Sequence, residues 1–150
     1  MARTETGLYV VEDVVKGQWS PGKRDQIIKA TAEKDEQRYG RYAVHIWLEQ
    51  EAGVAGTERT EATIRLLAGH RVRAERVTGS KTNRADPLAS QAEVGNVKLL
   101  RGPWTADFLA ELTDFPGGSH DDQVDAASMA FAKLARAEPG VARGISLRWF

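Results

Sequence analysis

The sequence has no cysteine among its 150 residues, which excludes disulfide frameworks and every thiolate metal site. A metal held by this chain must be bound through oxygen or imidazole, which points to magnesium or manganese rather than structural zinc. Net charge is also lacking. Because 21 basic and 21 acidic residues cancel, there is no global field for polyanions, and only local patches can attract them. No apolar run is long enough to cross a bilayer and no signal-peptide pattern is present, so a soluble, cytosolic protein is expected. Internal repeats, low-complexity tracts and a Walker-type glycine-lysine loop are likewise missing, so nothing marks a nucleotide-driven motor. What is present, 41% hydrophobic and 28% charged residues, fits one compact domain over residues 1–150. The stretch 137–150, which includes Pro139 and Gly140, reads as a C-terminal tail.

Strand and helix signals alternate along the chain. Residues 7–19 carry Leu8, Val10, Val11, Val14 and Val15 between charges and read as a strand that turns near Glu12 and Asp13. Ser20 and Pro21 start a helix that runs to about Tyr39, with Ile27, Ile28 and Ala32 as a sparse apolar stripe and Gly40 as its end. Residues 42–48 are too short for a helix and rich in strand formers, hence a buried strand, with Glu49 at its C-terminal end. Gly53 and Gly56 stand where backbone freedom or close approach is wanted, and Thr57 is a candidate cap for a helix to about Ala68. A strand over 71–77, a polar loop with Lys81 and Arg84, a helix from Asp86-Pro87 to Ala92, a strand over 97–100 and a last helix complete the series. This order predicts an α/β fold with helices covering a parallel or mixed sheet. Trp47 and Trp104 read as core residues.

The densest chemistry lies at the start of the last helix, Gly118-Ser119-His120-Asp121-Asp122-Gln123-Val124-Asp125. Ser119 with Asp122 has capping-box spacing, and acids favour a first helical turn, which accounts for Asp121 and Asp122 without any chemistry. Asp125 is not explained in that way. It lies one turn in, beside the apolar set Ala126, Ala127, Met129, Ala130, Phe131 and Leu134, and an acid beside a buried face needs a partner. Asp122 and Asp125 share a helix face, so two carboxylates can aim at one point.

Glu49 occupies the position beyond a strand where functional groups gather in α/β sheets. As a solitary acid it reads more readily as a solvated strand terminator. Acids brought together from separate elements, however, are how proteins hold two divalent ions about 3.5–4 Å apart for phosphodiester cleavage.

Three segments in order carry a resemblance. Trp47-Leu48-Glu49-Gln50-Glu51-Ala52-Gly53 is the first. Gly79-Ser80-Lys81-Thr82-Asn83-Arg84-Ala85 follows, with Gln91-Ala92-Glu93-Val94-Gly95-Asn96-Val97 behind it, and His120-Asp121-Asp122-Gln123-Val124-Asp125-Ala126 is the last. Together they resemble the C-terminal nuclease domain of tailed-phage terminase large subunits, over roughly residues 7–135. The resemblance implies a ribonuclease H-like three-layer domain, with a mixed central sheet flanked by helices. It also implies a hydrolase, a metal-dependent endonuclease that cuts concatemeric double-stranded DNA during bacteriophage genome packaging.

By resemblance, Glu49, Asp122 and Asp125 are the catalytic and metal-binding acids, for magnesium or manganese in a two-metal site. His120 and Asp121 would support them or cap the helix, and Lys81 and Arg84 would bind DNA phosphates without reading sequence. The implied partners are double-stranded DNA, the terminase ATPase region, the small terminase subunit and the portal. The implied location is the cytoplasm of a phage-infected or prophage-carrying bacterial host.

The pattern departs from the family at one place, since the first catalytic strand and its aspartate should precede residues 8–15. Neither Glu5 nor Asp13 matches that aspartate, and the ATPase region is also missing, so an N-terminally truncated domain is expected. Exposed sheet edges and self-association would follow. Two other readings share these residues: a non-catalytic module that docks to DNA or to packaging partners, and another ribonuclease H-like nuclease such as a resolvase.

Overall fold

The structure, a computed structural model, describes residues 1–76 and 78–136 together with the backbone of residues 145–147. The elements are, in chain order, β1 (Ala2–Arg3), β2 (Tyr9–Val11), α1 (Pro21–Tyr39), β3 (His45–Gln50), α2 (Val54–Leu66) and β4 (Val72–Arg76). They continue with α3 (Lys81–Glu93), β5 (Val97–Leu99), α4 (Thr105–Asp114), α5 (Asp122–Ala135) and β6 (Ile145–Leu147). The α/β class expected from the sequence is therefore observed. The chain divides into two compact units, one from Met1–Val15 with Gly79–Ala142 and the other from Lys16–Thr78 with Arg143–Phe150. Most of the tail expected at 137–150 lies outside the described residues; within it, Ile145–Leu147 forms a strand.

The first unit is built on a three-stranded mixed sheet. β2 pairs antiparallel with β1 and parallel with β5, Val10 standing opposite Ala2 on one side and Lys98 on the other. The central strand reads Tyr-Val-Val, with Tyr9 and Val11 both buried. α5 supplies the other half of this core because its Val124, Ala127, Ala130, Phe131 and Leu134 recur at helical spacing and are all buried. The rings of Tyr9 and Phe131 meet at 4.6 Å between centroids, so sheet and helix share an aromatic contact. Ala85 and Leu88 of α3 and Phe108 of α4 are buried in the same unit.

The second unit is an all-parallel three-stranded sheet in the order β4-β3-β6. Ile28 and Ala32 of α1 pack with Val44, Ile46 and Leu67 as a buried cluster, flanked by Tyr39, Leu48 and Val72. The sparse stripe read in α1 is thus enough to seat the helix, and Ser20 with Pro21 does open it. Both glycines before and within α2 are required by geometry. Gly53 has φ +91°, a conformation L side chains rarely adopt, and a Cβ at Gly56 would lie 2.5 Å from the carbonyl oxygen of Glu51.

Several boundaries differ from the sequence reading for identifiable reasons. The strand expected over 7–19 is only Tyr9–Val11. The third strand begins at His45 rather than Tyr42, a residue that is 83% exposed. Thr57 does not cap α2; Gly53 holds the cap position, and the Thr57 hydroxyl donates back to the Gly53 carbonyl within the helix. α3 starts at Lys81, five residues before Asp86, because the Ser80 hydroxyl accepts the Asn83 N–H at 3.2 Å and caps it. Pro87, read as a helix start, is an exposed residue inside α3. α4 was not foreseen, although Trp104, Phe108 and Leu112 fall four residues apart, a helical spacing.

Candidate active site

The first turn of α5 carries Asp122 and Asp125, with Asp121 at the N-cap position. The capping box expected from Ser119 and Asp122 does not form, and no side chain of the cap residue bonds the free N–H groups of the helix. A carboxylate from α4 does so instead. Glu111, buried at 7% exposure, accepts the backbone N–H of Gln123 at 2.5 Å and that of Val124 at 3.3 Å through Oε1. Its Oε2 accepts the Gln123 side-chain amide at 2.6 Å. The unpaired donors and positive dipole end of α5 make this a favourable place for a buried anion.

The three aspartates then separate by environment. Asp125 accepts a hydrogen bond from the Arg84 guanidinium at 2.7 Å, and the two side chains are only 14% and 24% exposed. Arg84 also donates to the Gly79 carbonyl at 3.1 Å, so it ties the turn before α3 to α5. Asp121 is ion-paired with Lys81. The hydrogen bond to Asp121 is the main reason the Lys81 amine is held above its ordinary pKa of 10.5, reinforced by the charges of Asp121 and Asp125 and opposed by desolvation and by Arg84. Asp122 is different: it is exposed, and its carboxylate makes no hydrogen bond or ion pair with the described residues. His120 is exposed and equally free of partners among those residues.

Lys81 and Arg84, expected in a polar loop, therefore sit on the first turns of a helix whose start faces the acids of α5. The residue the sequence reading missed is Glu111, because its helix was missed.

In the second unit, Glu49 is the fifth residue of β3 rather than the residue beyond it, and it is half-buried. Its in-register neighbour on β4 is Glu75, so the two acids stand side by side on one face of the sheet. Both have interactions with other groups and neither is a free carboxylate. Beside them, Arg73 lies over the Trp47 ring at 5.7 Å, a cation–π contact that gives Trp47 a structural role. Trp104, half-buried, packs edge-on against Phe108 at 5.6 Å.

Carboxylate oxygen is the donor type that magnesium and manganese take, and magnesium is commonly held by one or two carboxylates with water completing its shell. Asp122 fits that use with both oxygens open. Among the described residues, neither unit groups three His, Asp or Glu side chains as a ready-made metal cage.

An α/β chain whose last described helix opens on clustered acids fits a ribonuclease H-like domain. The terminase RNaseH-like domain family matches residues 1–134, and the chain belongs to that family as a terminase nuclease-type module. No curated protein and no solved structure matches it. No helix among the described residues is long and apolar enough to cross a membrane.

Proposed function

We propose that the chain is a divalent-metal-dependent DNA endonuclease module of a viral genome-packaging terminase, and that Asp122 is the principal metal-binding carboxylate of its first unit. The observation that carries this reading is the division of labour on α5. Two of its three clustered aspartates are neutralised by cations from α3, and the third is exposed and free. Magnesium or manganese, when bound, supplies charge stabilisation to the scissile phosphodiester and activates water.

The remaining roles fall to this chain's own groups. Arg84 holds Asp125 and thereby fixes the face of α5 on which Asp122 stands. Lys81, with 54% of its side chain exposed, is the cation best able to meet a DNA phosphate. Glu49 is the acid of the second unit that the family pattern assigns to metal binding. Concatemeric double-stranded DNA is the substrate, and the packaging ATPase, small subunit and portal are the partners this reading entails.

The test is manganese titration by calorimetry together with cleavage of plasmid DNA, on the wild-type chain, Asp122→Asn and Glu49→Gln. Binding that is lost in Asp122→Asn supports the reading, and Glu49→Gln reports separately on the acid of the second unit. A second reading, a DNA- or partner-docking module, is favoured by the two ion pairs that occupy Asp121 and Asp125. It expects DNA binding that is indifferent to manganese.

A further inference from the structure

The first turn of α5 is held by a group outside that helix. No side chain at the cap position bonds the leading N–H groups of α5, yet Gln123 and Val124 are both buried there and their donors must be satisfied. Glu111 of α4 meets this need with three hydrogen bonds, one of them to the Gln123 side chain. A glutamate buried to this degree is costly unless it is fully paired, so its position is fixed as firmly as that of the amides it holds.

We infer that Glu111 is the positioning residue of the acidic turn: the distance and angle at which α4 presents its carboxylate set where Asp122 points. The inference rests on the metal-binding role given above to Asp122 and extends it to a residue that touches neither metal nor DNA. Asp122 immediately precedes Gln123, so a displacement of the Gln123 amide is passed to Asp122 through one peptide unit. Arg84 and Lys81 bind Asp125 and Asp121 from the α3 side, which leaves Glu111 as the group that holds the same turn from α4.

The chemistry suggests a swap. In Glu111→Gln, the side-chain oxygen can still accept the two backbone N–H groups, but the buried negative charge at the helix start is lost and the new amide pairs with Gln123 only if the Gln123 amide turns its oxygen inward. Adding Gln123→Glu restores a donor-to-acceptor pair with the polarity reversed.

Manganese titration and native-state amide exchange on Glu111→Gln, on Glu111→Gln with Gln123→Glu, and on Val11→Ala test the inference. Val11→Ala thins the core of the same unit at β2, an element that contributes no residue to the acidic turn, and controls for lost stability. The expected result is manganese binding weakened about 10- to 100-fold in Glu111→Gln, as for groups that orient metal ligands. Recovery is expected in the double variant and wild-type affinity in Val11→Ala. A folded Glu111→Gln that binds manganese like the wild type overturns the inference. Should that variant fail to fold, Glu111→Asp, one methylene shorter with its charge kept, is read by the same criterion. If the wild-type chain itself takes up no manganese, it is the proposed function that fails. Amide exchange then decides on Glu111: faster exchange at Gln123 and Val124 in Glu111→Gln supports its positioning role, and unchanged exchange rejects it.

Discussion

Burial separates the two ion pairs that join α3 to α5, and their mutational effects should separate in the same way. Arg84 and Asp125 are largely shielded from water, so Arg84→Ala leaves a partly buried carboxylate without its charge-assisted bond. Thermal melting should show a loss of about 1.5–3 kcal/mol. Arg84→Lys should recover only part of it, because an ammonium cannot bridge Asp125 and the Gly79 carbonyl as a planar fork does. Lys81 is exposed, and its pair with Asp121 is screened by solvent. Lys81→Ala should therefore leave the melting temperature near that of wild type while weakening DNA binding. If one phosphate contact is lost, the slope of log affinity against log salt falls by about 0.9.

The pH dependence of this pair follows from a raised lysine pKa. Its contribution is complete below the ordinary value of 10.5 and disappears only as pH climbs through the raised value, so Asp121 carboxylate shifts should report the contact beyond pH 10.5. At this scale the acids and both cations were legible in the sequence as residue types at motif spacing. Their pairing was not, because Lys81 and Arg84 lie about 40 positions from their partners.

Elements were legible where their punctuation was unambiguous. Ser20, Pro21 and Gly40 bracket α1, and the structure keeps all three in those roles. α3 was misplaced because Asp86-Pro87 imitates a helix start, whereas the effective signal was Ser80, three residues before the amide it caps. Missing α4 had the larger consequence. It hid Glu111, and with it the reason why α5 needs no cap of its own. The glycines around α2 offer a test at this scale. Gly56→Ala would place a methyl group against the Glu51 carbonyl, where backbone cannot yield cheaply. Denaturant titration should show a loss of about 1–3 kcal/mol, the usual cost of overpacking. The strain would fall on the loop that follows β3, two residues beyond Glu49.

For the whole molecule, alternating strand and helix signals gave the α/β class but not which strands share hydrogen bonds. The described strands form two three-stranded sheets, and each unit has its own buried core. Such partners are set by contacts distant in sequence, which a local pattern cannot encode. Phe131→Ala removes the ring that meets Tyr9 and should cost about 3–5 kcal/mol. Hydrogen exchange read by peptide mass spectrometry should show lost protection in β2, β5, α3 and α5 exceeding that in β3 and β4. Equal loss throughout would mean that the chain unfolds as one cooperative block.

The metal-binding role proposed for Asp122 rests on its being the free carboxylate of an acidic turn whose other members are already paired. Manganese binding to the wild-type chain and to Asp122→Asn, by calorimetry at neutral pH with both proteins shown to be folded, tests it most directly. Saturable binding to the wild type that is abolished in Asp122→Asn is the expected result. Unchanged binding in Asp122→Asn would contradict it.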